Sequence, residues 1–200
     1  MGIKVDCQGV NQRTLDSKEQ RVSEINAAAP DCSCEKYRMS KHSPGVVDNF
    51  EILARFIFSP IQFDKKKGKV TPAAFSHVYS KGCSIQRESI AQNDHVLLQV
   101  QQRLNSGDNF VWKGVLLAQC HDIRRILVGD THRAVCVYDT ADPENSTHAE
   151  LCQTQYVIDE ADKVELRGAL FFAFGDLISP LQYRDGAVWD DLPQSLQIRK

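Results

Sequence analysis

The apolar segments of this chain are short, and they switch between two periodicities. Residues 160–174 have apolar side chains at helical spacing, whereas residues 133–139 alternate apolar and polar positions as a strand does. Proline or glycine ends most of these segments. Short helices and strands in mixed order predict a single α+β domain, in which about four helices pack on a mixed, mostly antiparallel sheet.

Capping residues and periodicity locate the individual elements. Ser43 and Pro44 form an N-cap followed by proline at the first helical position, which predicts a core helix that continues to Ile57. Asp159 and Gly175 are expected to begin and end the last helix. The predicted helices cover residues 17–29, 44–57, 72–81, 94–104 and 160–174, and the predicted strands cover 83–87, 110–119, 133–139 and 153–158.

Three parts of the chain are expected to differ in organisation. Residues 1–16 are polar and aperiodic and are predicted to be an N-terminal lead-in. Residues 17–175 are predicted to form the α+β domain. Residues 176–200 contain Pro180, Gly186 and Pro193, and are predicted to form an irregular C-terminal tail that packs on the domain through Tyr183, Val188 and Trp189.

Opposite charges are separated along the sequence. The formal net charge is -2, yet residues 1–100 carry a net +3 and residues 101–200 a net -5. This excludes a uniformly basic protein that binds nucleic acid over its whole surface, but it permits one basic surface.

The seven cysteines form an odd set with no repeated spacing. An extracellular disulfide scaffold normally has an even number at higher density, so the count predicts reduced thiols and a cytoplasmic location. Cys83, Cys136 and Cys152 lie beside apolar residues and are predicted to be small buried hydrophobic residues. No apolar segment approaches the roughly 18 to 20 residues that span a bilayer, so no membrane partner is expected.

Cys32, Cys34 and His42 are the candidate metal ligands, because zinc prefers thiolate and imidazole in a tetrahedral site. The single residue between the two cysteines is a tight spacing for such a site, and no second pair follows at a zinc-finger distance. The alternative is a polar loop with unpaired thiols.

A basic segment offers candidate phosphate contacts. Lys65, Lys66, Lys67 and Lys69 surround the turn at Gly68, and Arg87 follows nearby in the sequence. Clustered lysines attract phosphates electrostatically, although few aromatic residues accompany them for base stacking. The alternative is a solvated turn with no ligand.

The segment from Asp139 to Glu150 is predicted to be an acidic loop at the end of a strand, where functional residues are frequent. His148 and Glu150 would lie on the same side of an extended chain, where they could act as a base and the group that orients it. The alternative is an acidic surface loop with no catalytic role.

Arg55 interrupts an apolar segment and could bind a phosphate through its planar guanidinium group. The order Arg55, Ser84, Glu150 resembles that of the arginine–serine–glutamate ADP-ribosyltransferases, in which the arginine binds the pyrophosphate of NAD and the glutamate stabilises the ribosyl cation. The chain lacks the family's Ser-Thr-Ser and Glu-x-Glu motifs, since Gly82-Cys83-Ser84-Ile85 and His148-Ala149-Glu150 stand there. The resemblance implies NAD as a cofactor.

Two hypotheses of different class follow. The first is a small cytosolic enzyme that acts on a phosphate-bearing substrate, such as a nucleotide, NAD or a nucleic-acid end. It assigns catalysis to Ser84, His148 and Glu150 and phosphate binding to the arginines and lysines above. The second is a non-catalytic binding module whose basic and acidic faces engage a protein partner or a second copy of the chain. The enzyme requires these side chains to line one concave pocket.

Overall fold

The computed structural model describes residues 6–15, 18–91, 93–106 and 109–184, which form an α+β fold around a five-stranded antiparallel sheet. The helices are α1 (Cys7–Thr14), α2 (Arg21–Ala28), α3 (Asn93–Leu104), α4 (Cys120–Arg124), α5 (Glu160–Phe174) and α6 (Pro180–Arg184). Segments of 3-10 helix cover Lys18–Gln20, Pro30–Lys36, Pro72–Tyr79 and Glu88–Ile90. The strands are β1 (Ile52–Ser59), β2 (Phe63–Asp64), β3 (Lys69–Val70), β4 (Cys83–Arg87), β5 (Val111–Gln119), β6 (Leu127–Val128), β7 (His132–Arg133), β8 (Val135–Asp139) and β9 (His148–Gln153).

The main sheet has the strand order β5-β1-β4-β9-β8, and β2–β3 and β6–β7 form separate two-stranded hairpins. Successive side chains of each strand point to opposite faces of the sheet. We call the two faces the α5 face and the N-terminal face, after the elements that cover them.

The α5 face carries the larger hydrophobic core. The helix α5 and the 3-10 segment Pro72–Tyr79 pack on it, and the ring centroids of Phe75 and Phe174 lie 5.1 Å apart. A reciprocal capping box between Asp159 and Asp162 begins α5, and Gly175 ends it, as the sequence predicts.

The N-terminal face is covered near β8 and β9 by α1, α2 and the 3-10 segment Pro30–Lys36, which together we call the N-terminal layer. Two disulfides join these parts, Cys7–Cys34 within the layer and Cys32–Cys136 from the layer to β8. Near β5, the same face is covered by Ile178 and Tyr183.

Other parts of the chain form hydrogen bonds with the backbone of both edge strands of the main sheet, β8 and β5. The backbone N–H of Val137 in β8 donates to the carboxylate of Glu35 in the N-terminal layer. At the other edge, Val115 of β5 exchanges backbone hydrogen bonds with Ile178. A side chain at Gly114 would collide with the Ile178 carbonyl, so glycine permits this approach. Neither edge offers a free row of backbone groups for strand addition at these positions.

The prediction of a helix over residues 44–57 is wrong, because residues 52–59 form strand β1. Leu53 and Ile57 enter the core of the α5 face, whereas Ile52 and Ala54 enter the core of the other face. A strand buried on both faces is apolar throughout, so its sequence does not show the alternation typical of a strand.

The predicted strand over residues 153–158 is also wrong. The strand is β9, which ends at Gln153, and residues 154–158 form turns before α5. As a result, His148 and Glu150 lie on a central strand and not in the predicted acidic loop.

The N-terminal lead-in contains helix α1, which Asp6 caps by accepting a hydrogen bond from the Gly9 backbone N–H. Of the predicted C-terminal tail, residues 176–184 include α6, and residues 185–200, with the predicted anchors Val188 and Trp189, lie outside the described residues. The predicted strands 83–87 and 110–119 and the helix 94–104 are confirmed to within two residues.

Candidate functional site

Four polar side chains lie together at the centre of the N-terminal face, and we call them the polar strip. Ser84 in β4 is directly opposite Glu150 in β9, and Gln86 is opposite His148. Directly opposite residues of antiparallel strands point to the same face. The register therefore places the three predicted catalytic residues, Ser84, His148 and Glu150, on one side of the sheet.

Glu150 is engaged in a buried ion pair. The Nε of Arg21 in α2 donates to Glu150 Oε2 at 2.7 Å, and Arg21 is 2% exposed. The remaining guanidinium nitrogens of Arg21 donate to Thr14 Oγ1, to Asn11 Oδ1 and to the Asn11 carbonyl. A Cβ at Gly82 would lie 2.9 Å from Glu150 Oε2, so glycine leaves the space that this carboxylate occupies. Glu150 thus fixes the N-terminal layer to the sheet.

His148 is oriented by the end of β8. Its Nδ1 lies 3.0 Å from Thr140 Oγ1 and 3.3 Å from the Thr140 carbonyl oxygen. The Thr140 hydroxyl can donate to Nδ1 or accept from it, whereas the Thr140 carbonyl can only accept, so the tautomer of His148 decides which of the two contacts is a hydrogen bond. His148 is half-buried and Ser84 is exposed, so these two are the accessible members of the polar strip.

Arg55 lies on the opposite side of the sheet. Its neighbours Leu53 and Ile57 belong to the core of the α5 face, and its Nε donates to the Ala74 carbonyl in the segment that covers this face. Its Nη1 donates to the Ser84 carbonyl at 2.6 Å. Arg55 therefore meets the backbone of Ser84, while the Ser84 side chain points to the other face.

Arg87 is also buried and used within the fold. Its Nε and Nη2 donate to the two oxygens of Glu51 at 2.7 and 2.6 Å, and its Nη1 donates to the Gly45 carbonyl. Asp139 lies 3.5 Å from the same Nη1. Burial raises the pKa of Asp139, against the opposing attraction of Arg87. This cluster anchors the turns that precede β1.

The structure therefore divides the predicted enzyme residues between two faces. Ser84, His148 and Glu150 lie on the N-terminal face, whereas Arg55 lies on the α5 face and Arg87 is bound to Glu51. A groove of about 350 Å³ beside α1 and α2 contains none of these residues; it is lined by Val10, Arg13, Thr14, Glu24, Ala27 and Ala28. The structure therefore does not bring Arg55, Ser84 and Glu150 into one pocket, as the enzyme hypothesis requires.

The predicted zinc ligands are paired elsewhere. Cys32 forms a disulfide with Cys136 and Cys34 with Cys7, so in this state neither sulfur is a thiolate that could hold zinc, while His42 is exposed. Cys136 is buried as predicted, but the prediction that it is a free thiol is wrong because it pairs with Cys32. Within the part of the chain that the structure describes, no group of three or more His, Cys, Asp or Glu side chains is placed to hold a metal ion.

The basic segment belongs to the β2–β3 hairpin, which follows the end of β1. The side chain of Asp64 accepts hydrogen bonds from the backbone N–H groups of Lys66 and Lys67, and Gly68 has a φ of +65° that favours glycine in this turn. The exposed side chains are Lys65, Lys66, Lys67 and Lys69.

Two further cations reach the same end from neighbouring elements, each over an aromatic ring. The Nζ of Lys113 lies 5.4 Å from the ring centroid of Phe63, and the Cζ of Arg103 lies 4.0 Å from that of Phe110. Phe110 also contacts Phe58 of β1, with ring centroids 6.2 Å apart. These contacts join the hairpin, the start of β5 and the end of α3 into one surface.

Three aliphatic side chains in the segments that carry these cations are exposed. Ile61 is 62% exposed, Val111 44% and Leu104 40%. We call the whole surface the basic end; its members are Ile61, Lys65, Lys66, Lys67, Lys69, Arg103, Leu104, Val111 and Lys113. Among its described neighbours in residues 58–70, Asp64 is the sole carboxylate, and the turn already uses it.

Sequence reasoning missed the buried role of Arg21 and of Glu35. Glu35 accepts hydrogen bonds from Arg124 and Arg133, and so joins the N-terminal layer to α4 and β7. Both residues lie in polar segments where a charged side chain is normally solvated, so no local pattern identifies them.

The chain matches no protein-family model, no curated protein and no solved structure. Among the described residues, no helix is both long and apolar enough to cross a membrane.

Proposed function

We propose that the protein is a non-catalytic binding module that engages an acidic protein surface through its basic end. The observation that carries this proposal is the exposed lysine hairpin, which the contacts of Lys113 with Phe63 and of Arg103 with Phe110 join to β5 and α3, together with the exposed aliphatic side chains in these segments. Protein interfaces combine an apolar centre with a charged rim, and complementary charge raises the rate of association.

The chemistry of this surface favours an acidic polypeptide over a nucleic acid. Single-stranded nucleic acids bind by stacking their bases on exposed aromatic rings. At the basic end, the rings of Phe63 and Phe110 are half-buried and have Lys113 and Arg103 over them. The exposed apolar groups are aliphatic, and these contact apolar side chains of a protein partner.

The enzyme hypothesis stays a prediction with less support. Its phosphate-binding arginines donate to carbonyl and carboxylate oxygens of the fold, and Glu150 is bound to Arg21. The cytoplasmic location also stays a prediction. Its argument rested on reduced cysteines, and disulfides of the kind formed here persist mainly in oxidising compartments.

Charge reversal at the hairpin tests the proposal. The variant K65E/K66E/K67E is compared with K36E/R38E/K41E, which reverses three exposed cations of the N-terminal layer and its following turns. The probes are a peptide of alternating glutamate and leucine, polyglutamate, and single-stranded oligothymidylate, each measured by fluorescence anisotropy at low salt.

We expect the hairpin variant to bind the glutamate–leucine peptide about tenfold more weakly, because exposed charge pairs contribute about 0.2–1 kcal/mol each and the variant reverses three charges. The control variant should bind as the wild type does. I61S should weaken binding of the glutamate–leucine peptide and leave polyglutamate binding unchanged. Tighter binding of oligothymidylate than of either peptide would favour a nucleic-acid partner and overturn the proposal, as would an equal loss in the control.

A further inference from the structure

Five of the seven cysteines share the small hydrophobic core of the N-terminal face. Cys7, Cys34, Cys32 and Cys136 form the two disulfides, and the fifth, Cys152, is a free buried thiol. The other two free cysteines, Cys83 and Cys120, belong to the core of the α5 face.

Cys152 is the direct cross-strand neighbour of Cys136. The register of β8 and β9 places the two residues opposite each other, and both side chains enter the core of the N-terminal face. Directly opposite residues of antiparallel strands have Cα atoms about 4.5 to 5.5 Å apart, which lies within the range of about 4.4 to 6.8 Å that a disulfide spans. The Cα–Cα distance of the existing Cys32–Cys136 disulfide is 5.3 Å.

We propose that Cys136 and Cys152 form a thiol–disulfide exchange site that can release Cys32 from the sheet. Cys152 loses its proton, and its thiolate attacks the Cys136 sulfur. The Cys136–Cys152 bond forms as the Cys32–Cys136 bond breaks, and Cys32 leaves as a thiolate that takes up a proton. One disulfide is exchanged for another, so the step needs no oxidant or reductant.

The exchange has a defined structural consequence. Cys32–Cys136 links the N-terminal layer to the sheet, whereas Cys7–Cys34 lies within the layer. After exchange, the layer remains on the sheet by non-covalent contacts alone, among them the ion pair of Arg21 and Glu150. The site therefore converts the layer from a covalently attached form to a detachable form.

Burial keeps this site inactive while the layer is closed. Cys152 is fully buried, and burial raises its pKa well above that of an ordinary thiol, which makes its reactive thiolate scarce. When the layer opens, water reaches Cys152. Cys136 and Cys152 stay adjacent during this opening because both belong to the sheet.

The variant C32S leaves Cys136 without its present disulfide partner, and it is incubated with oxidised glutathione to test whether Cys136 then pairs with Cys152. Each protein disulfide that forms reduces one oxidised glutathione to two molecules of glutathione. If Cys7–Cys34 is intact and no new bridge forms, four thiols are free, at Cys83, Cys120, Cys136 and Cys152. We expect alkylation of the unfolded protein to label two thiols, with a loss of labelling at Cys136 and Cys152, and peptide mass mapping to identify their bridge.

Two comparisons complete the test. C32S/C83S should lose labelling at the same two positions, since Cys83 lies on the other face. Wild-type protein incubated with a trace of reduced glutathione should yield a Cys136–Cys152 peptide and a free Cys32, whereas C152S should retain Cys32–Cys136. The wild-type experiment decides the outcome if C32S does not fold. Free thiols at both positions in C32S, or no exchanged peptide from the wild type, would overturn the proposal; neither result bears on the basic end.

Discussion

The two faces of the main sheet are stabilised by different means. The α5 face has a core of 22 buried residues within the described chain, built with α5 and the segment Pro72–Tyr79. The core under the N-terminal layer has 11 buried residues, five of them cysteines. One disulfide, Cys7–Cys34, links parts of that layer to each other, and the disulfide Cys32–Cys136 and the buried pair of Arg21 and Glu150 link the layer to the sheet.

This difference follows from how much apolar surface each covering element can bury. The helix α5 contributes Leu166, Leu170 and Phe174, large side chains that each stabilise by about 1.5–3 kcal/mol on burial. The short helices α1 and α2 contribute few large apolar residues, notably Val10, Val22 and Ile25. A layer with so small a core depends on covalent links for stability, as very small domains generally do.

Removal of both disulfides should produce the largest effect. In C7A/C32A/C34A/C136A we expect the free energy of unfolding to fall by about 3–5 kcal/mol for each disulfide, because the closed loops no longer restrict the unfolded chain. Hydrogen exchange should rise most in α1 and α2 and least in the strands under α5. An equal increase in hydrogen exchange on both faces would contradict the comparison. The matched control is C83A/C120A, which replaces two free cysteines and leaves both disulfides in place.

The buried ion pair should produce the next largest effect. R21M or E150Q should each lower the free energy of unfolding by about 3–5 kcal/mol, since either leaves a buried polar partner unsatisfied. The double variant R21M/E150L removes both charges and should lose less than the sum of the single losses. Additive losses in a denaturant-unfolding cycle would show that the two residues act independently.

Asp139 should produce a smaller effect that depends on pH. The pKa of Asp139 is higher in the folded protein than in the unfolded chain. Between these two pKa values the folded protein still holds the proton that the unfolded chain has lost. The free energy of unfolding therefore falls as pH rises through this interval. D139N removes this dependence. Relative to the wild type, we expect the variant to gain stability between acidic and neutral pH, as measured by urea unfolding across that range. A difference in stability between D139N and the wild type that stays constant across this pH range, or that shrinks as pH rises, would refute the assignment.

The basic end should contribute least to stability. K65E/K66E/K67E changes exposed side chains only, so we expect a change within about 0.5 kcal/mol in thermal or urea unfolding. A larger loss would show that the hairpin supports the fold, and the binding results for this variant would then report on folding.

Sequence predictions that rested on interactions between residues close in the sequence were accurate, whereas those that depended on contacts between distant segments were not. The capping box at Asp159 and Asp162 lies within one helical turn, and α5 begins there as predicted. Residues 52–59 look helical because both of their faces are buried, which depends on elements far away in the sequence. Ser84 and Glu150 were selected for their chemistry, and their adjacency follows from the pairing of β4 with β9.

The sequence by itself determined the α+β class, the position of α5 and the concentration of positive charge at Lys65–Lys69, because composition, capping and turn formation act over a few residues. Only the tertiary structure decided the pairing of Cys32 with Cys136, the use of Glu150 by Arg21, and the separation of Arg55 from Glu150 by the thickness of the sheet. These relations join residues more than 90 positions apart, and the register of the strands together with the packing of the N-terminal layer on the sheet sets them.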